Sequence, residues 1–226
     1  MYGYNSTMKS FVIYVKGHEQ SERYALEALN SCNKNGFDAE LLEGVTPDTI
    51  NQYEQYPEIE NGRSTSFKRE DTKKYLTKKS CFTNHVRVWN KCIELNQPVA
   101  FIEQDAYCVW GWDNTQFDEI LILNINSAFR QKVFDHVQNK PVFGLGKGVY
   151  NSSPLMYNKE NEWLNSVMIP GTASYAVTPK GAKKLLVALE KYGWDQSDYF
   201  INSHNVKMEY KIPEYFTFKY KNLNMS

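Results

Sequence analysis

The pattern of apolar and polar positions changes period along the chain. Residues 11–15 form a short β-branched, apolar run, the signature of a buried strand. From 19 to 32, Ala25, Leu29 and Cys32 recur at helical spacing with Ala28 beside them, and Asn35-Gly36 supplies a stop. Residues 39–42 read as a second strand. A strand, a helix and a strand in that order predict a parallel α/β sheet. The stretch 46–79 is polar and weakly periodic, and is expected to be a mobile loop. Between 79 and 95, Phe82, Val86, Trp89 and Ile93 fall on one stripe with His85 and Cys92 flanking it, an amphipathic helix that ends at Asn96-Gln97-Pro98.

After that proline, 99–105 reads as a strand that turns acidic at its end. Residues 119–125 and 173–177 are further strands, and 141–154, rich in Gly and Ser, reads as loop. Thr178-Pro179 starts a helix running to about 189, with Thr as N-cap and Pro in the first turn. A short helix at 195–203 and a strand at 206–212 close the core. The expected architecture is one α/β domain spanning 1–226, with a mixed, mainly parallel sheet between helices and its core at about 11–213.

Composition sharpens this in three ways. Lys and Arg number 26 against 26 Asp and Glu, so the whole chain carries no electrostatic footprint for nucleic acid, and no nucleic-acid partner is expected. Aromatic residues make up 15%, which suits both a packed core and a cleft for ring-shaped ligands. Composition alone does not choose between the two. Trp89 and Phe101 are expected in the core. Cys32, Cys81, Cys92 and Cys108 lie at no zinc spacing and read as free buried thiols of a reducing compartment. With no signal-peptide pattern and no run long enough to span a bilayer, the expected location is cytoplasmic.

Chemistry concentrates at the acidic strand end. Positions i and i+2 of a strand share a face, so Glu103 and Asp105 point together while Gln104 points away. Ligands of open α/β sheets bind at the carboxyl ends of strands. Two carboxylates there suit Mg2+ or Mn2+, the bland reading being a solvated strand end. GLGKG at 144–148 matches a phosphate loop only superficially and reads as a surface turn. His85 reads as a buried structural histidine or as a ligand. Asp195 and Asp198 stand one helical turn apart, as surface charge or as a catalytic carboxylate.

Several segments together resemble glycosyltransferase family 25, which includes lipooligosaccharide galactosyl- and glucosyltransferases and the collagen galactosyltransferases. The sequence GTASYAVTPKGAKKLL at 171–186 is similar to the family's GTxxYxxxPxGAxxLL pattern. CFTNH at 81–85 followed by Trp89 resembles its GCxxSHxxxW helix, with Lys79, Ser80 and Asn84 as departures. Residues 99–105 resemble its strand ending in Glu-Asp-Asp, with Gln104 replacing the middle acid. Residues 197–201 resemble its Pro-x-Asp-x-x-Leu segment, with Gln196 in the proline's place. Residues 210–213 resemble its strand that ends in proline, and 12–15 with Arg23 its first strand and helix.

The resemblance implies a GT-A-like, Rossmann-like fold and an inverting enzyme of lipopolysaccharide biosynthesis type. Such an enzyme moves a hexose, galactose or glucose, from a nucleotide-sugar donor, a UDP-hexose, to a hydroxyl of a glycan or hydroxylated acceptor. It also implies a divalent metal, Mn2+ or Mg2+, at Glu103 and Asp105, with Asp198 as base and Asp195 second. Tyr14, Arg23, His85, Gly171, Thr172, Ser174 and Lys180 are the implied donor-binding positions. Among them Thr172 and Ser174 face the sugar, Arg23 or Lys180 the diphosphate and Tyr14 the base. Through the resemblance Tyr14, Tyr175 and the tyrosines of 46–79 become candidates to line a sugar and nucleotide cleft. A catalytically silent sugar-binding relative, and transfer to a modified nucleobase, are the alternative readings.

Overall fold

The computed structural model describes residues 7–59, 71–124, 148–151, 172–202 and 204–218. Its first unit is β1 (Met8–Tyr14), α1 (Glu19–Lys34) and β2 (Phe37–Glu43). His18 caps α1, its Nδ1 accepting from the Ser21 amide at 3.2 Å. A 3-10 turn (Ile50–Gln52) precedes α2 (Thr72–Leu95). Next come β3 (Val99–Glu103), β4 (Ala106–Cys108), β5 (Ile120–Ile122), β6 (Gly148–Asn151) and β7 (Ser174–Val177). The chain continues through α3 (Pro179–Tyr192), α4 (Ser197–Phe200), β8 (Met208–Ile212) and β9 (Phe216–Phe218).

Among the described residues, seven strands form one sheet in the order β2-β1-β3-β7-β5-β8-β6, and β4 pairs with β9 in a second. β1 runs parallel to both β2 and β3; β7 runs antiparallel to β3 and β5; β8 is parallel to β5, and β6 antiparallel to β8. Five strands therefore share a direction and β7 and β6 oppose it, which is the mixed, mainly parallel single-domain α/β architecture expected from the sequence.

The sheet is covered on both faces. On one, α2, α3 and α4 bury Phe82, Trp89, Leu185 and Phe200 against Phe101, Tyr175 and Val177. On the other, α1 and the β4–β9 pair bury Ala25, Ala28, Cys32, Phe37, Tyr215 and Phe216. Trp89 and Phe101 lie in the core as expected. α3 starts as the sequence indicates: Thr178 Oγ1 accepts from the Gly181 amide at 3.1 Å, and Pro179 occupies the first turn. Gly181 lets that turn sit on the strand entry, since a Cβ there would stand 2.5 Å from the Glu119 carbonyl oxygen.

Some expectations need correction. The 46–79 loop is shorter than anticipated, because α2 begins at Thr72, where Asp71 caps it by accepting from the Lys74 amide at 3.0 Å. Tyr75, seven positions before Phe82, extends the apolar stripe and is buried against Trp194, so it lies in the core and not in a cleft. The segment before residue 60 is anchored: Ile50 and Ile59 are buried, and the Ile59 amide donates to the Trp194 carbonyl at 3.0 Å. The helix expected at 195–203 is one turn long, and residues 104–105 form a turn after β3. Tyr175, expected in the cleft, is fully buried under α2. Cys81 is exposed while the other three thiols are buried.

Candidate active site

β1 lies between β2 and β3. The chain leaves β1 through α1 on one face to reach β2, then crosses through α2 on the other face to reach β3. That reversal opens a crevice at the carboxyl ends of β1 and β3, the usual ligand position of an open α/β sheet. Ile13 pairs with Glu103 across it. Tyr14 is half-buried at its rim, and Glu103 is the last residue of β3.

β7 enters the same end of the sheet because it runs antiparallel to β3. Ser174 pairs with Ile102, and the Glu103 amide donates to the Ala173 carbonyl at 2.7 Å. This brings Thr172 beside the crevice. Thr172 donates twice to Asp198 Oδ1, from its amide at 3.0 Å and from Oγ1 at 2.9 Å. Residues far apart in sequence thus meet at one edge: Glu103 and Asp105 after β3, Thr172 and Ser174 at the start of β7, Asp198 in α4.

The carboxylates act on one another. Burial first, then the charges of Asp105 and Asp198, push the Glu103 carboxyl above its ordinary range, with Lys78 opposing. Burial also raises Asp105. Glu103 and Asp105 therefore interact, though Asp105 reaches the site through the turn at 104–105 and not by the alternation of a continuing strand. Gln104, at the apex, accepts from Ser21 Oγ, which itself accepts from the Val15 amide at 2.7 Å. The replaced middle acid is a latch that ties the turn to α1. Asn84 is likewise structural: its Oδ1 accepts from the Val45 amide at 2.8 Å and from Arg87 Nη1 at 3.2 Å, fixing the chain after β2.

Two residues to which the sequence reading gave no role at the site, Lys78 and Cys81, stand on the α2 wall. The Cys81 thiol feels the charges of this edge: burial, then Glu103 and Asp198, push it up to about 11, with Lys78 opposing. The signal for both was spacing, since Lys78, Cys81 and His85 follow one another at three and four residues, on one helix stripe.

Other expected positions lie elsewhere. His85 is buried, stacked on Phe101 with ring centroids 3.9 Å apart, and burial lowers it to about 3. Trp89 Nε1 donates to the Tyr175 hydroxyl at 2.8 Å, and that hydroxyl, 3.0 Å from His85 Nδ1, completes its bonding by donating to it. His85 is a neutral core residue and touches no cleft. Lys180 heads α3 after β7 has crossed to the opposite end of the sheet, where it pairs with Asp118 at 2.7 Å and Glu119 at 3.0 Å; it cannot meet a diphosphate at Glu103. Arg23 is exposed on α1 with its guanidinium 5.1 Å from the Tyr24 ring centroid. Asp195 is fully buried and precedes α4, its Oδ1 accepting from the Gln196 amide at 2.7 Å, so it does not share a helix face with Asp198. Gly171 lies outside the described residues, as do 144–147 of GLGKG, while Gly148 begins β6.

As for a metal, no group of three His, Cys, Asp or Glu able to hold an ion is present among the described residues. The pair Glu103 and Asp105 nevertheless fits a hard divalent cation. Both are oxygen donors raised by burial, and Glu103 further by like charge, the condition an added cation relieves; Mg2+ and Mn2+ commonly take one or two carboxylates and complete their shell with water and substrate phosphates. Two buried hydroxyls near this edge, Ser174 Oγ and Ser80 Oγ, have no hydrogen-bond partner. Among the described residues no helix is long and apolar enough to cross a membrane.

Residues 8–201 match the model of the family described as glycosyltransferase family 25 (LPS biosynthesis protein). A search of curated proteins found no match.

Proposed function

The chain belongs to glycosyltransferase family 25, and on that premise we propose that the carboxyl edge of its sheet moves a hexose from a nucleoside-diphosphate sugar to an acceptor hydroxyl with inversion at the anomeric carbon. The observation that carries this reading is the convergence of Glu103, Asp105 and the Thr172–Asp198 pair at the crevice between β1 and β3.

Asp198 is the base. Thr172 holds Oδ1 with two hydrogen bonds, which fixes the carboxylate plane and leaves Oδ2 for the acceptor hydroxyl. That hydroxyl gives its proton to Asp198 as its oxygen bonds to the anomeric carbon; the bond from that carbon to the diphosphate oxygen breaks, and the nucleoside diphosphate leaves with the electron pair. Glu103 and Asp105 would hold a divalent cation, Mn2+ or Mg2+, which offsets the charge of the departing diphosphate. Tyr14, half-buried at the rim, offers a face to the base, whereas Ser174, fully buried within β7, does not reach the sugar. Asp195, sealed from solvent, positions the start of α4 through its bond to the Gln196 amide.

UDP-galactose and UDP-glucose are the donors this reading favours, with a glycan or hydroxylated acceptor. A thermal-shift panel of nucleotide sugars with and without Mn2+ tests it. Metal-dependent stabilisation by one donor is expected, followed by release of nucleoside diphosphate on incubation. Absence of both with every common donor would refute the reading.

A further inference from the structure

Helix α2 and strand β3 pass each other in opposite directions, and their contacts give the register. Cys92 Sγ donates to the Val177 carbonyl at 3.3 Å, and Val177 pairs with Val99 at the start of β3. His85, two turns earlier in α2, stacks on Phe101. Seven further residues toward the helix start carry the axis ~10 Å, at 1.5 Å per residue, to Lys78. Two residues of strand carry β3 only ~7 Å from Phe101 to Glu103. The Cα of Lys78 therefore stands about one residue beyond the end of β3. Helical side chains lean toward the helix N-terminus, so the Lys78 side chain extends further past the sheet edge, over the crevice.

The electrostatics agree with this placement. The Lys78 charge acts on both Glu103 and Cys81, opposing the lift that burial and the neighbouring carboxylates give them. Lys78 is half-buried and, among the described residues, closes no ion pair. Arg23 is turned outward on α1, and Lys180 is committed to Asp118 and Glu119 at the far end of the sheet. Among the described residues, Lys78 is thus a cation on the cleft wall whose charge reaches Glu103 without an ion pair to it, at the height where a ligand's phosphates would sit above that carboxylate.

We infer that Lys78 is a donor-positioning residue that grips the diphosphate of the nucleotide sugar through its ammonium group. The inference rests on the transferase reading and names the part of the donor that this wall recognises. Lysine serves phosphate as a compact point charge on a long stem, which suits a group that must also release its product.

Isothermal titration calorimetry with UDP, GDP, ADP and CDP, each with Mn2+, tests it on the full chain. Four proteins are compared: wild type, Lys78→Met, Lys78→Arg and Lys180→Met. Lys78→Met is expected to lose roughly tenfold or more in affinity for the nucleoside diphosphate that wild type prefers. Its melting temperature should stay unchanged, Lys78→Arg should recover most of the affinity, and Lys180→Met should match wild type. In turnover, Lys78→Met should raise the donor KM and leave the acceptor KM alone. Wild-type affinity in Lys78→Met overturns the assignment, and so does a loss that Lys78→Arg and Lys78→Met share equally with a lowered melting temperature. If wild type itself binds none of the four diphosphates, the transferase reading fails, and the assignment with it.

Discussion

Glu103 and Glu119 stand at opposite ends of the same sheet, and the protein treats them in opposite ways. Glu119, almost fully buried just before β5, has been given partners: Lys184 at 2.6 Å, Lys180 at 3.0 Å and the Lys207 amide at 2.7 Å. Burial works against its charge, yet these hydrogen bonds hold the carboxyl below its ordinary range. Glu103, at the end of β3, has been given further acids. Burial, then Asp105 and Asp198, push it up. One charge is satisfied within the fold; the other is left to be satisfied from outside. Concentrated unsatisfied charge in a crevice marks a site whose cost is offset when ligand arrives, whereas at the lysine-capped end the charge is met by partners within the fold.

Removing one acid from each end should separate the two behaviours. Asp105→Asn should lower glycosyl transfer on the order of 100-fold while leaving the melting temperature equal or slightly higher, because a raised, crowded carboxyl is lost. Steady-state kinetics and thermal melts check both halves. Glu119→Ala should do the reverse, destabilising the fold by ~2 kcal/mol through lost charge-assisted bonds and an orphaned Lys207 amide, measured by urea unfolding, with the donor KM unchanged.

The two ends should also respond oppositely to pH. Because Glu103 is raised, the folded chain keeps a proton that the unfolded chain has released, so its effect on stability is unfavourable as pH rises from the ordinary carboxyl range toward the raised value. Because Glu119 is lowered, its stabilisation is complete above the ordinary carboxyl range and is lost as pH falls through the depressed value. Unfolding free energies from pH 3 to 9 should show Glu103→Gln flattening the first slope and Glu119→Gln the second. A smaller effect concerns the core: Tyr175→Phe removes the acceptor of Trp89 and the partner of His85, costing about 1–2 kcal/mol, with the donor KM unchanged.

How much of this the sequence disclosed depends on what each residue's role requires. Strand β1, helices α1 and α3 and the Thr178-Pro179 cap follow from local pattern and were legible. The acid pair was legible too, but its geometry was not, because the chain turns after Glu103 and Asp105 arrives through a bend held by Gln104 and Ser21. The start of α2 was hidden by its lysines, which mask the seven-residue spacing of Tyr75 and Phe82. Lys180 shows the deeper limit. It lies eight residues from Thr172 in sequence, yet β7 runs against β3 and carries it to the other end of the sheet. Strand direction is decided by long-range pairing, which local periodicity does not record. Tyr175 and His85 were ambiguous for a related reason: only the packing of α2 on β3 and β7 seals them away from the crevice.

On the proposed reading, donor sugar and cation meet at the carboxyl edge, with its uncompensated acids. The most direct test follows release of nucleoside diphosphate from UDP-galactose and UDP-glucose with and without Mn2+, in wild type and Asp105→Asn. Metal-dependent release by wild type, lost in Asp105→Asn while the melting temperature holds, is the predicted result. Equal release from both proteins, or none from wild type with either donor, would contradict it.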